Sequence, residues 1–129
     1  MTSKKEFMDE LVKANDLDEG EDIYQLNKGG KKIPIITRTG IEKIQYNNEI
    51  TVTFEWISVS KDYACIKATA TKGDLVIETF GSAWHGQGGN CMSNYVLEMS
   101  EKRGLARAVL KAVGAGKHGI YGKDESDDF

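Results

Sequence analysis

The chain predicts an α+β domain: an antiparallel meander of three strands, open to further strands, packed against one long C-terminal helix. Two observations carry this. Tyr95–Gly114 (YVLEMSEKRGLARAVLKAVG) sets apolar Tyr95, Met99, Ala106, Leu110 and Val113 at helical spacing, with Val96, Leu105 and Val109 widening the stripe. Residues 50–83 alternate apolar and polar instead, in three runs separated by the turn-forming Ser60-Lys61-Asp62 and Lys72-Gly73-Asp74. A β-β-β-α core follows, because a one-sided meander must bury its apolar face and the helix is long enough to cover it.

Taken in order, residues 4–14 place Phe7, Leu11 and Ala14 on one face, with Met8 and Val12 beside it, predicting a short amphipathic helix. Asn15–Glu21 reads as an acidic linker, so residues 1–22 form an acidic N-terminal helix and linker before a core domain over 23–116. Ile23–Leu26 suits a brief strand ahead of the glycine- and lysine-rich turn Asn27–Lys32. Pro34 interrupts the apolar run 33–36, and Thr37 or Thr39 caps a short helix containing Ile41 and Ile44. In the first meander strand, Ile50, Val52, Phe54 and Trp56 share a face, which assigns Trp56 to the core. Gly104 inside the long helix costs about 1 kcal/mol relative to alanine. It marks either a close approach of another backbone or a tolerated loss.

A net charge of −3 hides a segregated distribution. Residues 1–22 carry −5 and residues 124–129 carry −4, whereas residues 23–123 carry +6. A basic body between acidic ends suits a polyanionic partner, and an ordinary solvated surface is the plain alternative. No apolar run is long enough to span a bilayer, no apolar signal segment opens the chain, and two cysteines make no disulfide framework. The expectation is a cytoplasmic protein without a membrane partner. Residues 117–129 read as a flexible tail, in which Asp127, Asp128 and the terminal Phe129 form an acidic, apolar-tipped hook for a partner protein.

Catalytic chemistry finds little footing. The loop Trp84–Met92 holds three glycines, His85 and Cys91, and reads as mobile. Only His85, Cys91 and the distant His118 are candidate soft ligands there, with no acid at metal-site spacing, so neither a metal nor a catalytic residue is expected. Gly29-Gly30 between lysines lacks the phosphate-loop pattern, and no cofactor is implied. Arg103, Arg107 and Lys111 recur every four residues and line one side of the long helix, a candidate phosphate-binding stripe. Trp84 and Tyr63 lie next to loops, where rings can stack on bases.

Leu97–Gly114 (LEMSEKRGLARAVLKAVG) and, more weakly, Ile36–Gln45 (ITRTGIEKIQ) followed by three strands resemble phage single-strand annealing proteins of the Erf and Sak type. That family is related to the eukaryotic strand-annealing mediator of the Rad family, and the likeness covers roughly residues 33–114. It implies a homo-oligomeric ring or filament, in a bacterial host cell, that binds single-stranded DNA in a basic groove and promotes annealing in recombination without enzymatic turnover. On this chain the likeness nominates Lys102, Arg103, Arg107 and Lys111; the chain's own charges add Lys31, Lys32 and Lys67 as phosphate contacts and its rings add Trp84, which completes the expected DNA-binding set. The acidic tip resembles those of strand-coating proteins that recruit replication or recombination partners. Strand coating without annealing, and a non-enzymatic scaffold whose basic helix joins subunits, are the alternative readings.

Overall fold

The computed structural model describes residues 3–92, 94–115, 118 and 120–123. Their order is α1 (Lys4–Asn15), β1 (Ile23–Lys28), β2 (Lys31–Ile36), α2 (Arg38–Asn47), β3 (Thr51–Val59), β4 (Tyr63–Lys72), β5 (Leu75–Trp84), α3 (Val96–Ala112) and β6 (Tyr121–Gly122). Strands β3-β4-β5 form the antiparallel meander, and α3 packs on it as the β-β-β-α core.

The inner face of the meander is built from small residues. Ala64, Ile66, Ala68 and Ala70 of β4 are buried under α3, with Thr79, Gly81 and Ala83 of β5 beside them. A side chain at Gly81 would overlap the Ser100 carbonyl oxygen and the Gly104 backbone, and a Cβ at Gly104 would lie 2.6 Å from Ile66 Cδ1. The two glycines therefore let helix and strand meet backbone to backbone, which decides the role of Gly104. Helix α3 lies over β4 and β5 and barely reaches β3. Phe54 and Trp56, on the helix side of β3, are consequently exposed, Trp56 by 63%. The assignment of Trp56 to the core fails because alternation specifies a face but not whether anything covers it.

A second sheet, β1-β2-β6, was only half expected. Gly29 and Gly30 both have positive φ (58° and 80°) and close a two-residue turn between β1 and β2, so Lys31 and Lys32 begin a strand. Pro34 is accommodated because β6 pairs only with Ile35 and Ile36 on the far side of β2. Ile120 is buried, so residues 120–122 belong to the fold despite their tail-like composition. The N-terminal segment packs on the body as well: Leu11 and Leu17 join the core, and Phe7 stacks on His118 with ring centroids 4.4 Å apart.

Asp22 holds this second layer together. Its buried carboxylate accepts from Asp18 N–H at 2.8 Å, Thr39 Oγ1–H at 2.7 Å and Lys43 Nζ–H at 2.6 Å. Burial alone would push its pKa up, but the bonds from Asp18, Lys43 and Thr39 outweigh it, and the carboxyl sits below the usual aspartate range.

Candidate nucleic-acid interface

The basic side of α3 divides into residues that build the fold and residues that face outward. Arg103 is 2% exposed; its Nη1–H donates to Ser82 O at 2.8 Å and its Nη2–H to Asn90 O at 2.7 Å. Arg107 Nη1–H donates to Phe80 O at 2.8 Å. Four residues of helix advance about 6 Å and two residues of strand about 6.7 Å, so an i, i+4 arginine pair matches every second carbonyl of β5. Asn90 Oδ1 accepts from Trp84 N–H, and Cys91 N–H donates to Trp84 O, which continues the seal along the same strand edge. Arg103 thus joins helix, strand and glycine loop, and its spacing, read as a phosphate stripe, is set by the period of β5.

That loop is tied down at several points. His85 N–H donates to Asp62 O, and Gly89 packs so closely on Trp84 O that a side chain would overlap it. The Cys91 carbonyl only accepts, so His85 Nδ1 carries the proton of their 3.2 Å bond, and the imidazole is engaged with the backbone of Cys91. Among the described residues no group of three or more His, Cys, Asp or Glu side chains is arranged to hold a metal ion.

Lys102 points away from this seal. It lines a cleft of about 470 Å³ with Arg38, Lys123, Tyr24, Thr37, Thr39 and the acid Glu21, beside the start of α2. Lys102 and Arg38 also line an adjoining cleft of about 300 Å³, whose apolar wall is Phe54 and Leu105 and whose acids are Glu42, Glu98 and Glu101. Neither Arg38 nor Lys102 has an ion-pair partner among the described residues. The same two cations therefore border both clefts, and Phe54 of β3 walls the second.

The remaining nominated residues lie elsewhere. Lys31 and Lys32 sit exposed at the β1–β2 tip, where Lys28 and Lys31 are directly opposed and no acid occurs between Ile23 and Ile36. Lys67 lies on the outer sheet face between Glu55 (3.4 Å) and Glu78 (3.9 Å), so its charge is already answered. Trp84 is 48% exposed on that outer face, opposite Tyr63 and two positions beyond Phe80's neighbour Ser82. Lys111 is exposed in the last turn of α3. Asp127, Asp128 and Phe129 lie outside the described residues. Sequence reasoning missed Arg38, Lys123 and Phe54; the one available signal was Arg38 directly after a helix-capping threonine.

No family model, no curated protein and no solved structure matches this chain. No helix among the described residues is long and apolar enough to cross a membrane.

Proposed function

We propose that this protein binds single-stranded DNA and promotes annealing of complementary strands, working as a homo-oligomer without a nucleotide or metal. The observation that carries the reading is the juxtaposition of Arg38 and Lys102, without ion-pair partners among the described residues, with the ring of Phe54, two positions from the exposed Trp56 on the same face of β3. A single strand offers phosphates to such cations and unstacked bases to such rings, each stacked base being worth about 1–3 kcal/mol. The basic hairpin tip supplies further cations without local acids. The three acids of the smaller cleft favour contact with bases there over phosphates, whereas the larger cleft, with Arg38, Lys102 and Lys123 against Glu21, favours phosphates.

The test is fluorescence anisotropy of a labelled oligothymidine between 50 and 300 mM salt, with strand-annealing rates measured alongside. Wild-type binding weakens with salt by about 0.7 in log–log slope per phosphate neutralised. Arg38→Ala with Lys102→Ala lowers that slope by about 1.4. Tryptophan quenching separates the two faces: Trp56→Phe abolishes most of the DNA-induced quenching, whereas Trp84→Phe retains it. Salt-independent binding, or quenching lost only in Trp84→Phe, sinks the assignment. Strand coating without annealing is the outcome if affinity is high and the annealing rate is that of free strands.

A further inference from the structure

The two edges of the meander are treated differently. On β5, the carbonyls of Phe80 and Ser82 are taken by Arg107 and Arg103, and Trp84 by Asn90 and Cys91. Even-numbered residues of β5 therefore turn their backbone groups toward its outer edge. By strand alternation, odd-numbered residues of β4 face β3, so Thr51, Thr53 and Glu55 bond to β4 while Val52, Phe54 and Trp56 present N–H and C=O outward. Strand β3 is nine residues long, lacks proline and lysine, and exposes Phe54, Trp56, Ile57 and Val59; its register shifts between Trp56 and Ser58, so the regular edge runs from Thr51 to Trp56. Such an edge is a template for another strand.

We infer that β3 pairs antiparallel with β3 of a second copy, giving a two-fold dimer with a continuous six-stranded sheet. The occupant follows from the edges themselves. Head-to-tail growth needs a second open edge that matches β3. The upper half of β5 is sealed, and the edge strand β1 of the other sheet has six residues against nine, so β3 is matched in length by its own copy, through a two-fold axis. That axis stands perpendicular to the sheet, so both α3 helices lie on the same side. The uncovered Phe54 and Trp56 of both copies then form the floor of a trough whose walls are the two α3 helices. Each cleft bearing Lys102 and Arg38 shares Phe54 with that trough, and the partner copy completes it. The two clefts run in opposite directions, the relation between complementary strands; this consequence rests on the function proposed above, whereas the dimer does not.

The experiment is light scattering of the full chain at 5–100 μM (about 0.07–1.4 mg/mL), without and with oligothymidine. The expected mass is twice the 14.3 kDa of one chain. Phe54→Glu with Trp56→Glu, both surface changes, gives a folded monomer by circular dichroism, and Phe54→Pro does so by deleting one outward N–H without touching the β4 ladder. Arg107→Ala frees the Phe80 carbonyl and shifts the wild-type dimer toward larger, concentration-dependent species, which loss of a merely structural arginine would not do. A monomer at 100 μM, a closed ring of many copies, or a dimer untouched by the β3 variants overturns the inference. A dimer that binds no DNA refutes the proposed function and leaves the β3 pairing standing.

Discussion

Arg103 shows how one side chain can carry a functional-looking pattern for a structural reason. Its two charge-assisted bonds reach carbonyls of different segments, Ser82 and Asn90, in the fork geometry of a guanidinium. Arg103→Ala leaves both without that donor and costs about 2–4 kcal/mol in a urea melt. Arg103→Lys recovers little, since one ammonium cannot reproduce the fork. If Arg103→Ala melts like wild type while its DNA binding falls, the residue faces DNA after all. Asp22 makes the second residue-scale prediction. Its folded pKa is depressed, so its contribution is present above the ordinary aspartate value and is lost as pH falls through the lower folded value. Lys43, raised chiefly by the bond it donates to Asp22, contributes below the ordinary lysine value and loses that contribution as pH rises through the higher folded value. Urea midpoints of the wild type therefore fall below about pH 4 more steeply than those of Asp22→Asn. Parallel acid limbs would show that Asp22 does not bring that pH dependence.

At the scale of elements, the contact of α3 with the meander depends on a glycine pair that is unequal in its tolerance. A methyl at Gly81 meets backbone atoms of Ser100 and Gly104, which cannot yield without moving the helix. At Gly104 the nearest atom is the mobile end of Ile66, and alanine gains about 1 kcal/mol of helix propensity. Gly81→Ala is expected to cost about 3 kcal/mol or more, and Gly104→Ala under about 1.5 kcal/mol after the propensity gain. Chemical denaturation of the two variants checks the order, and equal losses would mean that the helix moves freely over the strand. The same glycines bring α3 close to β4 and β5, and its distance from β3 leaves the rings of Phe54 and Trp56 uncovered.

For the whole molecule, charge segregation gives the most direct prediction. Residues 23–123 carry +6 and residues 124–129 carry −4, and Lys123, the last described residue, lines the larger basic cleft. Deleting residues 124–129 tightens single-strand binding at 50 mM salt and changes it little near 300 mM, where the Debye length is well under about 8 Å. Phe129→Ala leaves DNA affinity alone. Equal dissociation constants for full-length and truncated protein at 50 mM salt would remove the tail from any gating role.

The meander, its turns and the long helix were legible in the sequence because each is a local period: two in residues 50–83, and three to four in residues 95–114. Gly29-Gly30 also announced a turn, although the strand beyond it was hidden by Pro34, which is harmless only where β6 has no reach. The tertiary structure alone decided which way each charge and ring faces. Periodicity placed Arg103, Arg107 and Lys102 on α3, but the free carbonyls of β5 claim the arginines and leave Lys102 to the cleft with Arg38, sixty-four positions away in the chain. Likewise, alternation put Trp56 on the helix side of β3, and only the lateral offset of α3 left it exposed. Local periods are properties of neighbouring residues; cover and edge satisfaction depend on segments far apart in sequence, whose meeting no local pattern encodes.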